Sequence, residues 1–146
     1  MFQKGYKWLS FFKNVRIIEM SEIKQEKSSV KRQCVFETLK DAPGPMTVYD
    51  ILQKVNNDKQ TAGLATIYRA IKRFLKSGDI KVVKLPDGQT RYTIPTLKHL
   101  HYFLCRICKI ALYVDHCCIH LKQDELNGHL VKDHEIAMVG VCKECR

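Results

Sequence analysis

Apolar positions between residues 28 and 77 recur at helical spacing. Residues 28–40 carry a rough stripe of Val30, Cys34, Val35, Phe36 and Leu39, which ends before Asp41-Ala-Pro-Gly-Pro45. A second helix opens at Thr47, where Thr47 and Asp50 are spaced to cap the free backbone N–H groups reciprocally. Val48, Ile51, Leu52 and Val55 give it one apolar face, and Asn56-Asn57-Asp58 ends it. A third helix is expected over 63–77, with Leu64, Ile67, Ile71, Phe74 and Leu75 inward and Gly78 as a left-handed stop. Two strands follow, 80–85 and 89–94, flanking the turn Pro86-Asp-Gly88. Three helices and a hairpin make a winged helix. Beyond it, 110–115 and 135–141 read as strands and 117–132 as a helix. The fold class is therefore α+β: an N-terminal winged helix followed by a small α/β domain.

The 146 residues suffice for one domain or two small ones, too little for either half to bury a large core alone. Metal, disulfide or dimerisation is the expected reinforcement. No stretch approaches 18 consecutive apolar residues, so no spanning helix is expected. The organisation reads as 1–27, an N-terminal extension; 28–95, the winged helix; and 96–146, a metal-binding dimerisation domain. The extension is aromatic and basic, and its apolar run is broken by Lys13, Asn14 and Arg16, unlike a signal peptide. It is read either as an interfacial amphipathic helix or as a stretch ahead of a natural start at Met20.

Net charge is +10, and its placement is informative. Residues 1–95 hold 18 basic and 9 acidic residues, whereas 96–146 hold 7 and 6. The positive field thus belongs to the winged helix, as expected of a domain drawn to nucleic acid. On the third helix, Thr66, Tyr68, Arg69, Lys72, Arg73 and Lys76 lie off the apolar stripe, placed to enter a major groove. Lys84 and Arg91 of the hairpin are expected to reach a phosphate or minor groove. The plainer reading of these residues is a solvated cationic face.

Cysteine and histidine are concentrated at the other end. Six of seven Cys lie in 105–145 and all six His in 99–134. No secretory signal is visible, so a reduced, cytoplasmic setting favours metal over disulfides. Cys105-x-x-Cys108 and Cys142-x-x-Cys145 can bring four thiolates onto one tetrahedral zinc, one per subunit. The alternative, two redox dithiols, needs a helix after the C-x-x-C, and none follows Cys145. The 33 residues between the pairs must hold structure that delivers both to one end. His99-x-His101 sets two imidazoles on one face of an extended segment. With His116, His120, His129 and His134 nearby, a second, His-rich metal site is expected. Of the adjacent Cys117 and Cys118, one reads as a core residue and the other as a spare thiol.

Gly63-Leu-Ala-Thr-Ile-Tyr-Arg69, the hairpin, His99-x-His101, the two Cys pairs and His134 together resemble the ferric uptake regulator (Fur) family, over about 30–146. The resemblance implies a homodimeric, metal-dependent transcription regulator that binds double-stranded DNA, with Tyr68 and Arg69 at the recognition helix. It implies structural zinc on Cys105, Cys108, Cys142 and Cys145. It further implies a sensory site of His99, His101, His120 and His134, with His116 or His129 as substitutes for His120, where the alignment is weakest. Family members usually have Glu in place of His120 and often Asp in place of His101. A further family site maps to Gly44 or Pro45, Thr93, Leu100 and Tyr102, none a good ligand. That site is expected to be absent, which weakens a peroxide-sensing reading.

The nitrogen-rich donor set favours regulatory Zn2+ over Fe2+. The expected protein is a zinc-responsive repressor of metal-uptake genes on an AT-rich palindromic operator. An iron-responsive regulator is the close alternative, and a zinc-binding docking module that ignores DNA is a remoter one. A zinc enzyme would keep three protein ligands and an open position for water. Four His leave no opening, so no small organic substrate is expected.

Overall fold

The computed structural model describes residues 29–58, 61–117 and 127–146. The N-terminal extension, Cys118 and His120 lie outside these residues. Helix α1 spans 29–40, α2 Val48–Asn57 and α3 Leu64–Ser77. Strand β1 is Lys81–Lys84 and β2 Thr90–Thr93. Then come β3 at His101–Cys105, β4 at Ala111–Val114 and β5 at Ala137–Gly140. A 3-10 turn covers Lys143–Cys145.

The start of α2 follows the sequence closely. The Asp50 N–H donates to Thr47 Oγ1 at 3.2 Å, and the Thr47 N–H donates to Asp50 Oδ2 at 2.9 Å. Two otherwise orphaned donors are satisfied at once. Val48, Ile51 and Val55 then face inward, each burial contributing about 1.5–3 kcal/mol. They meet Val35 and Leu39 of α1, Ala62, and Ile67, Ala70 and Ile71 of α3. Helix α3 ends where Gly78 turns left-handed at φ 79°, so that Asp79 N–H reaches the Phe74 carbonyl and Gly78 N–H that of Leu75. Leu75, expected inside, stays exposed next to this cap.

β1 and β2 form the antiparallel wing, with Gly88 at φ 75° in the turn. Met46 adds a single-residue bridge to this two-stranded sheet by exchanging both backbone hydrogen bonds with Tyr92. In the C-terminal sheet β3 is central, antiparallel to β4 and parallel to β5. The helix expected over 117–132 does not reach that far. Asn127 and Gly128 are both left-handed, at φ 52° and 81°, and 129–136 has no regular structure. Two consecutive positive-φ residues cannot sit inside an α-helix.

The two units pack directly on one another. Val83 and Leu85 of the wing share a core with Tyr102, Leu104 and Ala111. The α1–α2 connection runs against β4: the Tyr113 N–H donates to the Pro43 carbonyl at 2.8 Å. Gly44 is required at this crossing, because a Cβ there would lie 2.1 Å from the Ala111 carbonyl oxygen. Thr93, at one position of the further family site, is buried and hydrogen-bonded to the Tyr113 hydroxyl. Tyr102, at another, lies in the shared core.

Candidate metal centres

The β4-β3-β5 order explains how distant residues meet. β3 ends where β5 ends and β4 begins. The C-x-x-C pair after β3 and the pair after β5 therefore emerge at the same end of the sheet. At the opposite end, β3 and β5 begin and β4 ends, which gathers residues near 100, 117 and 134. Five residues of β3 separate the two ends, roughly 13 Å at about 3.3 Å per residue.

At the first end, Cys105, Cys108, Cys142 and Cys145 hold their sulfurs within 4.8 Å of one another. The chain turns so that the Lys109 N–H donates to the Cys105 carbonyl, and Arg106 N–H to that of Gly140. Cys108 and Cys142 sulfurs are 3.7 Å apart. Tetrahedral zinc with bonds of ~2.3 Å places its sulfurs ~3.8 Å apart, so the four residues fit that ion. Backbone N–H groups, that of Cys142 first and then those of Cys108 and Ile107, pull the Cys105 thiol down to about 6. Burial, then the neighbouring thiols, pushes Cys142 up to about 12. Cys105 is thus the thiol readiest to ionise, and Cys142 the one most in need of a cation to do so.

At the other end, His99 Nε2 lies 3.0 Å from His101 Nε2 and 3.2 Å from His134 Nε2. Ligands at ~2.0–2.1 Å on a tetrahedral ion stand ~3.3 Å apart, close to these edges. A neutral imidazole carries one proton, so His99 Nε2 can donate to one neighbour at most. The arrangement therefore suits a cation better than a hydrogen-bond network. His101 is fully buried. Burial, then the charges of His99 and His134, lowers its pKa and keeps it neutral, the form a metal needs. Its Nδ1 has no partner among the described residues.

The fourth atom of this group is not one the sequence singled out. Cys117 Sγ lies 3.2 Å from His134 Nε2, and all four donor atoms fall within 4.8 Å. No carboxylate joins the group among the described residues. His116 and His129, the suggested substitutes for His120, are exposed and stand outside it. The sequence reading of the Cys117-Cys118 pair, one core residue and one spare thiol, is corrected for Cys117, because nothing local in the sequence places its thiol beside the histidines.

On the basic face, Tyr68, Arg69, Lys72, Arg73 and Lys76 of α3 are exposed, as is Lys84 of the wing, and Thr66 is half-buried. Arg91 corrects the sequence expectation. It is 1% exposed, and its guanidinium forks onto both Asp87 oxygens at 2.8 and 2.7 Å and onto the Lys109 carbonyl at 3.0 Å. It pairs across the wing with Val83, and cross-strand partners share a face, here the buried one. Arg91 therefore ties the wing to the Cys105–Cys108 turn instead of reaching DNA.

Residues 23–139 match the ferric uptake regulator family. The chain belongs to that family. As a member it is a metal-responsive, DNA-binding transcription regulator that acts as a dimer, not an enzyme. The ferric uptake regulation protein of Neisseria meningitidis serogroup A is 25% identical over 138 residues, covering 92% of this chain and 94% of its own length. The peroxide-responsive repressor PerR of Staphylococcus aureus is 29% identical over 121 residues, 80% of each chain. The solved ferric uptake regulator of Helicobacter pylori superposes with a TM-score of 0.61 at 21% identity. That comparison covers 99% of this chain and 97% of the other, so the two share a fold. No helix among the described residues is long and apolar enough to cross a membrane.

Proposed function

We propose that this regulator is a zinc-responsive repressor of metal-uptake genes, working in the cytoplasm on an AT-rich palindromic operator. The observation that carries the zinc assignment is the donor set. His99, His101 and His134 converge through nitrogen, with sulfur beside them and no carboxylate among the described residues. Harder ferrous and manganous ions favour oxygen, whereas zinc is at home among nitrogen and sulfur. Iron remains the second reading because the Neisseria relative is named for ferric uptake.

Two zinc ions per subunit are assigned. One, on Cys105, Cys108, Cys142 and Cys145, holds the C-terminal sheet together. The other is regulatory. His99 lies on the connection between the wing and β3, His101 opens β3, and His134 lies on the segment that leads into β5. An ion shared among them fixes the connection to the sheet, and with it the angle of the winged helix. In a dimer that angle sets whether the two α3 helices match successive half-sites. Zinc tightens DNA binding only by as much as it prefers this arrangement. Thr66, Tyr68, Arg69, Lys72, Arg73, Lys76 and Lys84 are assigned to the operator. Arg91 is not.

His134→Ala tests the assignment. The expected result is a folded dimer that keeps one zinc per chain and loses the metal-induced gain in operator affinity, a gain of roughly 5–150-fold for coupled sites. Operator titration by fluorescence anisotropy, with and without zinc, reads it directly. Unchanged zinc-dependent affinity in the variant would remove His134 from the sensory site.

A further inference from the structure

We propose that Cys117 is the fourth ligand of the regulatory centre, making it a three-imidazole, one-thiolate site for a tetrahedral borderline-soft divalent ion. The inference rests on the reading of His99, His101 and His134 as a metal site, and it names the donor that completes it. Three observations carry it. First, β4 pairs antiparallel with β3 so that Val114 lies opposite His101. Three residues past Val114, the chain is back beside the histidines. Second, Cys117 Sγ approaches His134 Nε2 to 3.2 Å, and all four donor atoms lie within 4.8 Å. A nitrogen and a sulfur on one tetrahedral zinc stand ~3.6 Å apart, so modest relaxation closes the shell. Third, the four donors come from three places in the chain. His99 and His101 lead into β3, Cys117 follows β4 and His134 precedes β5. One ion would thereby tie together the same end of all three strands.

The chemistry differs from that of an all-imidazole site. A thiolate contributes a full negative charge and a soft donor. It raises affinity for zinc relative to ferrous or manganous ions. It also explains how a centre without carboxylates among its described residues balances part of the charge of a divalent cation.

Cobalt(II) substitution tests this on the full-length protein with zinc retained in the four-cysteine site. Cobalt is titrated anaerobically while zinc per chain is monitored, so that exchange at the four-cysteine site is detected. The expected result is one added cobalt per chain with tetrahedral d–d bands and a near-ultraviolet sulfur-to-cobalt charge-transfer band. Cys117→Ser should remove the charge-transfer band and weaken cobalt binding at least roughly tenfold, since even the loss of an outer-shell partner commonly costs about 10–100-fold. It should keep its zinc and its dimer. Persistence of the band in Cys117→Ser, or its loss in Cys118→Ser instead, would overturn the assignment. So would a wild-type complex with cobalt bound and no sulfur band. If no cobalt binds beyond the zinc-filled site, the failure lies in the underlying reading of the histidines, and the proposal falls with it.

Discussion

Cys142→Ser is expected to cost the protein its tightly held zinc and, with it, the cooperative folding of the C-terminal sheet. Cys142 follows β5 and Cys105 ends β3, so their shared ion clamps the parallel pair at one end. Little else does so. Among the described residues, the sheet's whole buried core is Tyr102, Leu104 and Ala111, backed by two wing residues, Val83 and Leu85. In domains this small, metal-binding free energy is folding free energy. Cys142 is also the thiol that burial holds protonated, up to about 12, so its deprotonation depends on the cation. Serine cannot supply that anionic sulfur. Elemental analysis should show loss of one zinc per chain, and the melting midpoint should fall by about 10 °C or more. His134→Ala should show neither change. Full zinc retention with unaltered melting in Cys142→Ser would mean that the structural ion is held elsewhere.

The second large effect is expected from Arg91→Ala. Its guanidinium forks onto Asp87, itself only 10% exposed, and reaches the Lys109 carbonyl beside the Cys108 knuckle. Lys109 sits at φ 62°, a conformation a non-glycine residue adopts at a cost of about 1–2 kcal/mol. Truncation leaves the Asp87 carboxylate without its cation, with only the Gln89 N–H still donating to it, and removes the Arg91 hydrogen bond from the Lys109 carbonyl. Breaking one side of a buried ion pair costs about 3–5 kcal/mol. At ~2–4 °C per kcal/mol for a chain of this size, Tm should drop by roughly 10 °C. Replacing both residues together, Arg91→Met with Asp87→Leu, should recover much of the loss, because no charge is then left buried. The pH dependence has a definite sign. The Arg91 hydrogen bond holds Asp87 below its ordinary 3.8. Its stabilisation is complete above that value and disappears as pH falls through the lower folded-state pKa. Wild type should therefore lose stability in strong acid over a range where Asp87→Asn shows no corresponding change. Equal stability of Arg91→Ala and wild type at neutral pH would contradict this role.

Much of the fold was written in local pattern. The i, i+3, i+4, i+7 spacing of Val48, Ile51, Leu52 and Val55, with Thr47 and Asp50 before them, defined α2 without any tertiary information. Pro86-Asp-Gly88 likewise defined the wing turn. What local pattern could not carry was register and return. Arg91 looks like any wing-tip cation until it is set opposite Val83, which turns it inward toward Asp87. The bridge at Met46 exists only because Tyr92 offers its free edge. Asn127-Gly128 is a turn signal, and the left-handed φ of both residues stops any helix short of the expected 132. At the metal centres, the two C-x-x-C pairs and His99-x-His101 announced themselves by spacing. Cys117 did not, because its place beside His134 depends on β4 running back along β3, a long-range pairing.

The proposed zinc response runs through the histidine end of the sheet. It is tested most directly by the operator affinity of the four-cysteine-zinc form as free zinc, and separately anaerobic ferrous iron, is titrated onto a fluorescent AT-rich palindromic duplex. Zinc is expected to tighten binding with one added ion per chain, at free concentrations where ferrous iron does not. Tightening by iron alone would contradict the zinc assignment and leave the fold and the donor cluster standing. An affinity indifferent to both ions would mean that the His99, His101 and His134 cluster does not switch DNA binding.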